Sequence, residues 1–328
     1  MAVLVTGAAG FIGFHVAQAL LARGARVVGI DNVSPYYDPL LKEARLAELG
    51  KARNFTFARL DIADADALAE LAKQHAGEVE VVVHLAAQAG VRHSLTAPFA
   101  YTSSNVTGQL SVLEACRHHL PRLRHLVYAS TSSVYGANDK VPFAVEDRVD
   151  RPVSLYAATK CAGELMTMSY SHLFRLPATG LRFFTVYGPW GRPDMAAWLF
   201  TDAILAGRPV QLFNRGEMER DFTYVDDVVA GTLAAVDRPP TDDGGTRPHR
   251  LYNLGNDRCV ELRRFLAVLE EALGKSAVIE EAPMQPGDVP RTWANIDASR
   301  RELGYDPQTT VEDGLPRFVA WYRAYRGV

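Results

Sequence analysis

Short apolar, β-favouring runs recur along the chain at residues 2–5, 26–30, 55–60, 79–85, 125–130 and 179–184, with helical stretches between most of them. The first helical stretch reads from Val16 to Arg23 and stops at Gly24, a residue suited to a helix end. Strand and helix in alternation predict a parallel sheet covered on both faces. Past about residue 182 the pattern changes: residues 188–193, 239–245 and 283–290 are rich in turn-forming residues, and the regular pieces between them are shorter. The expectation is an α/β chain in two parts, residues 1–181 and a smaller α/β lobe at 182–328, some of whose segments return to the first part. The polar stretch 239–248 reads as a solvated connection, and no internal repeat is present.

At 328 residues the chain has room for two lobes that share a cleft. Its hydrophobic fraction of 48% and formal net charge of -3 describe a globular protein with no basic excess, so neither nucleic acid nor a membrane is an expected partner. Cys116, Cys161 and Cys259 are odd in number, far apart and without metal-ligand spacing. They read as reduced packing residues in a reducing compartment, and no metal site is predicted. The first strand begins at residue 2, which leaves no room for a signal peptide, and no apolar stretch is long enough to span a bilayer. The cytoplasm is the expected location.

The first strand runs directly into Thr6-Gly-Ala-Ala-Gly10-Phe11-Ile12-Gly13 and then into a helix. Gly7 and Gly10 would let the backbone turn tightly and approach a pyrophosphate at the helix N-terminus, while Gly13 would let helix and strand pack closely. The second strand ends in Asp31, about 20 residues on, where a carboxylate suits a ribose 2′-hydroxyl and would repel a 2′-phosphate. NAD is therefore expected in preference to NADP, on a Rossmann-type doubly wound sheet. The glycine spacing is Gly-x-x-Gly-x-x-Gly, which differs from the Gly-x-Gly-x-x-Gly of many dehydrogenases.

Tyr156 and Lys160 lie four residues apart and so share one helical face. A free tyrosine titrates near ~10. A neighbouring ammonium, aided by an oxidised nicotinamide, would favour the phenolate and bring it toward working pH. Such a phenolate would take a proton from a sugar or steroid hydroxyl while hydride leaves the same carbon.

With these residues in place, the chain resembles the extended short-chain dehydrogenase/reductase family of nucleotide-sugar enzymes over nearly its whole length. The resemblance rests on residues 7–13, Asp31, Asp61-Ile62, His84-Leu85-Ala86-Ala87-Gln88, Asn105, residues 130–136, Tyr156 with Lys160, residues 220–226 and Arg291. It implies a first part that holds NAD and carries the Tyr/Lys pair, and a second part that mainly holds the nucleotide sugar. It further implies that Gly7, Gly10, Phe11, Ile12, Gly13, Asp31 and Asn32 bind cofactor, and that Asp61 and Ile62 flank the adenine. Leu85, Ala86, Ala87, Gln88 and Asn105 would complete the cofactor wall with Tyr156 and Lys160. Within the family, dehydratases place an Asp-Glu pair directly after the threonine of the 130–136 segment, and uronate decarboxylases keep a glutamate at the second of those positions. Here Ser132 and Ser133 follow Thr131. With no extra acid, Tyr156, Lys160 and Thr131 suffice for 4-epimerisation, in which one base also serves as acid.

Among these enzymes the chain most resembles UDP-glucuronate 4-epimerases, through residues 31–38, 89–92, 186–195 and 220–224. The resemblance implies a UDP-sugar substrate carrying a C6 carboxylate, with Ser132, Ser133 and Thr185 as its hydroxyl donors and Arg92 and Arg192 as cationic helpers. Arg220 and Arg291 would take the diphosphate, since guanidinium forks match phosphate oxygens. UDP-glucose/UDP-galactose 4-epimerase, UDP-glucuronate decarboxylase and a nucleotide-sensing scaffold remain as alternative readings. The resemblance also implies a homodimer built on helices around residues 96–120 and 152–173, where Ala157, Ala158 and Ala162 permit close approach or else face the sheet.

Overall fold

A computed structural model describes residues 1–285 and 287–328. All six expected strands form, as β1 (Ala2–Thr6), β2 (Arg26–Asp31), β3 (Phe55–Arg59), β4 (Val79–His84), β5 (His125–Thr131) and β6 (Ala178–Phe183). Four strands of the second part are β7 (Thr185–Tyr187), β8 (Val210–Phe213), β9 (Glu219–Tyr224) and β10 (His249–Leu254); β11 (Cys259–Glu261) and β12 (Ile279–Ala282) follow. The main sheet is parallel, in the order β10-β6-β5-β4-β1-β2-β3. Its outermost strand, β10, thus returns from the second part and pairs along β6 from His249↔Ala178 to Leu254↔Phe183. β11-β9-β7 and β12-β8 form two smaller sheets.

Successive strand residues point to opposite faces, and both faces are covered. Val3, Val5, Val27, Val81, Val83 and Val127 pack into one core, while Leu4, Val28, Ile30, Val82, Leu126 and Tyr128 pack into another on the far side. Each such side chain contributes about 1.5–3 kcal/mol by leaving water.

Helix α1 (Phe11–Ala22) begins five residues before the expected Val16. The helix absorbs Gly13 because that glycine packs on the turn before it: a Cβ there would run into Gly7 O. Gly7 itself takes φ +73, and a Cβ on it would lie 2.7 Å from Ala86 N at the end of β4. Helix α2 (Pro39–Leu49) follows β2. Ser154 caps the helix Leu155–Phe174, its side chain accepting from Ala157 N, which fixes Tyr156 in the first turn and Lys160 one turn later. No helix among the described residues is long and apolar enough to cross a membrane. The stretch 239–248 is mostly exposed and irregular, and Arg175 holds it through Asp242.

A buried ion pair ties the helix Leu155–Phe174 to the sheet. Arg182 on β6 forks onto Glu164, with Nε–Oε1 2.9 Å and Nη2–Oε2 2.8 Å. Its other terminal nitrogen donates to Tyr135 Oη and Val145 O. Tyr135 Oη in turn donates to Asn253 Oδ1 on β10. Removing one partner strands the other charge in the core. Arg182→Met is expected to lose about 3–5 kcal/mol of stability in urea denaturation, and pairing it with Glu164→Met to restore much of that loss. A loss within error of zero for the single variant would mean the pair does not anchor the helix.

Candidate active site

The C-terminal ends of the central strands open into one cleft of about 1150 Å³. Gly7, Gly10, Phe11, Ile12 and Gly13 line it at one end, with Asp31, Asn32, Asp61 and Ile62 beside them. α1 starts at Gly10 with no side-chain cap and no acid in its first turn, so its leading N–H groups face the cleft unclaimed by side chains. The Asp31 carboxylate is held by Ala9 N (3.1 Å) and Val33 N (2.8 Å), and it is buried. A glycine cradle too tight for any Cβ, an uncapped helix end and a fixed carboxylate together fit a dinucleotide.

Leu85, Ala86, Ala87 and Gln88 continue the wall toward Thr131, Tyr156 and Lys160. Thr131 ends β5, and its Oγ1 accepts from Ser133 N (3.2 Å), so it caps the turn Ser132–Tyr135. The same hydroxyl donates to Ser133 Oγ (3.3 Å). Burial pushes the Tyr156 pKa up, while the nearby Thr131 hydroxyl and then the Arg192 charge oppose that rise. The lowering expected from Lys160 is not among these influences; Arg192 supplies the cationic one. Lys160 is itself desolvated, its pKa pushed down to about 8 against the support of Glu164.

Asn105 does not line the cleft. It lies within the widened helical turn Ser103–Thr107, buried, accepting from Gln88 N (2.8 Å) and donating to Gln88 O (3.0 Å) and Thr159 Oγ1 (3.1 Å). It therefore pins the cofactor-side wall to the helix of Tyr156 from behind.

At the far end, Ser132, Ser133, Thr185, Arg92, Arg192 and Arg220 line the same cleft. Three of its lining arginines are engaged by carboxylates: Arg92 by Asp288 (3.3 Å), Arg192 by Asp194 and Arg208 by Asp202. Arg220 donates instead to the Glu219 and Pro290 carbonyls, and desolvation lowers its pKa. Among the described residues it is the lining arginine with no carboxylate within 4.0 Å. Arg291 lies outside the lining, its guanidinium paired with Glu219.

Two lining groups escaped the sequence reading. Tyr36 donates from Oη to Asp194 Oδ2 (2.9 Å), and Lys42 donates to Ser34 Oγ (3.2 Å) beside Asp31. Tyr36 sits inside the 31–38 motif and was available as an aromatic next to Asp31; Lys42 carries no local signal.

Known proteins bear on this geometry. A probable UDP-glucuronate 4-epimerase of Rhizobium meliloti is 48% identical over 98% of this chain and 97% of its own. UDP-glucuronate 4-epimerase 1 of Arabidopsis thaliana is 48% identical over 100% of this chain and 78% of its own. A Bacillus cereus UDP-glucuronic acid 4-epimerase, solved with UDP-glucuronic acid and NAD, superposes with a TM-score of 0.90 at 36% identity, over 99% of this chain and 100% of that one. The family model described as the NAD dependent epimerase/dehydratase family matches residues 3–255, and the chain belongs to that family.

Proposed function

We propose that the chain catalyses the NAD-dependent 4-epimerisation of UDP-glucuronate to UDP-galacturonate through a transient 4-keto sugar. The observation that carries this reading is a single cleft in which Tyr156, Lys160 and Thr131 adjoin a face of hydroxyls, Ser132, Ser133 and Thr185, with no acid after Thr131. The relatives named as UDP-glucuronate 4-epimerases support the substrate, and the Bacillus cereus complex supports both substrate and cofactor.

Bound NAD supplies a hydride acceptor at C4 that is also the hydride donor to the opposite face. Gly7, Gly10 and the start of α1 would hold its pyrophosphate, Asp31 its adenosine ribose, and Asp61 and Ile62 its adenine. Tyr156 takes the O4 proton as a phenolate and gives it back after the ketone has turned over. Thr131 keeps a hydrogen bond on the phenol oxygen through both transfers, and Lys160 and Arg192 keep cations near it. Arg220, free of a carboxylate, binds the diphosphate and remains fixed while the sugar rotates. The C4 ketone is β to the C6 carboxylate, so the intermediate is prone to lose carbon dioxide. Ser132, Ser133 and Thr185 hold the carboxylate with its C5–C6 bond poorly overlapped with the carbonyl.

A homodimer fits the surface. Leu95, Phe99, Leu110, Leu165 and Leu173 are exposed on the helices expected at the interface, Phe99 by 85%. Ala157 faces the core, whereas Ala158 and Ala162 are half-buried beside exposed Leu165. The three free cysteines support a reducing, cytoplasmic setting.

Incubation of the purified protein with UDP-glucuronate and no added reductant should yield, by proton NMR, a sugar of unchanged mass inverted at C4. Tyr156→Phe should remove that turnover. Pentose product in the wild type would move the assignment to a decarboxylase, and turnover of UDP-glucose alone would discard the carboxylate site.

Thr185→Ala should raise the fraction of decarboxylated pentose relative to epimer. An unchanged partition with substrate binding intact would count against the carboxylate clamp.

Lys160 also leaves a stability signature. Its lowered pKa means that, between about 8 and the usual lysine range, the folded protein binds fewer protons than the unfolded chain. Stability from this group therefore rises with pH across that window and is at its lowest below about 8. Lys160→Met should be inactive yet raise the cofactor-free Tm at pH 7, with the gain shrinking above pH 9. A Tm difference independent of pH would show that the ammonium is not strained by burial.

A further inference from the structure

Three consecutive backbone carbonyls beyond β7 are gripped by side chains of the cofactor-side elements. His15 of α1 donates from Nε2 to Pro189 O at 2.9 Å. Arg45 of α2 donates from Nη2 to Trp190 O at 2.6 Å and, more weakly, to Gly191 O at 3.4 Å. The other arm of the same guanidinium donates to Ala9 O (2.8 Å), inside the glycine-rich turn, and to Tyr37 Oη (2.8 Å). One planar group thus joins the turn that would hold a pyrophosphate to the segment leading into Arg192 and Asp194.

The grip has work to oppose. Trp190 has φ +61, a left-handed conformation that a bulky side chain adopts only when its surroundings impose it. The segment then delivers Arg192 and Asp194 into the cleft, where Tyr36 fixes Asp194 from the cofactor side.

Arg45 differs from the other fully buried arginine. Arg182 is matched by Glu164, whereas Arg45, with 0% exposure, has no carboxylate within 4.0 Å among the described residues, and its Nε has no partner. A buried cation balanced by carbonyl dipoles and one phenol, with no anion, is under-compensated. An anion brought to the glycine turn supplies the missing charge without touching the guanidinium.

We infer that Arg45 is a positioning residue that couples the cofactor site to the sugar site: a diphosphate on the glycine turn and the nucleotide sugar beside Arg192 each favour the same placement of residues 189–194. The coupling rests on the proposed function for the identity of the two ligands. By linkage it is reciprocal, so UDP must tighten NAD as much as NAD tightens UDP.

The test is the rate of NAD release from the holoenzyme, with and without saturating UDP, in the wild type and in Arg45→Met. UDP is expected to slow release in the wild type within the roughly 5–150-fold range of such couplings. In Arg45→Met, with NAD and UDP binding each confirmed separately, the ratio is expected to fall to about one-fold. A role confined to structural support would weaken both ligands and leave the ratio unchanged, and that result overturns the inference, as does a wild type whose NAD release ignores UDP. Where Arg45→Met does not fold, His15→Ala removes the second grip with the buried charge intact, and an unaltered ratio there overturns it equally. A wild type that shows the coupling but does not turn over UDP-glucuronate would sink the substrate reading and leave this one standing.

Discussion

The Glu164–Arg182 pair is the constraint on which the geometry of the cleft depends. Glu164 sits one helical turn past Lys160, which sits one turn past Tyr156, so fixing Glu164 fixes the height and rotation of both. Ser130, next to Thr131 on β5, donates to the same carboxylate. The reactive helix, the strand end bearing Thr131 and β6 thus meet at one anion. A buried pair of this kind stabilises little by itself, because desolvation offsets most of the attraction. Its effect is on geometry: the fork, the Ser130 hydroxyl and Tyr135 converge on the same two side chains and hold the helix against the sheet.

The same anion shapes the electrostatics. Burial lowers Lys160 and raises Tyr156, opposite to what a proton-accepting phenolate requires. Glu164 keeps part of the Lys160 charge in place, and Thr131 and Arg192 pull the phenol down. A cation brought beside the phenol, as an oxidised nicotinamide would be, acts against that rise and favours the phenolate. This follows from burial, which amplifies each added charge.

Much of this was legible in the chain. Six strands, the glycine turn, Asp31 and the Tyr156/Lys160 face are local patterns, encoded within a dozen residues. What was not legible depends on contacts across long separations. Some return of later segments is expected, but that β10 is the strand that pairs with β6 joins residues about seventy apart, and no period marks it. Asn105 is assigned to the cofactor through the family resemblance alone; only the fold reveals that its amide faces Gln88 and Thr159. Arg291 and Arg220 look equivalent as sequence, and differ because an isolated bridge sets Arg291 beside Glu219. Arg45 gave no signal, since an arginine on an amphipathic helix ordinarily faces water.

That last case bears on how sugar and cofactor are kept in step. The 4-keto sugar must turn within the cleft while the nicotinamide stays still, so the moving and fixed parts need separate anchors. In the proposed reading Arg220 anchors the diphosphate and the glycine turn the cofactor, and Arg192 and Asp194 of the segment 189–194 line the same cleft. Flexibility in that segment would let the ketone drift from the nicotinamide before hydride returned. The segment is anchored through its backbone carbonyls, while its own ions, Arg192 and Asp194, pair with each other where they line the cleft.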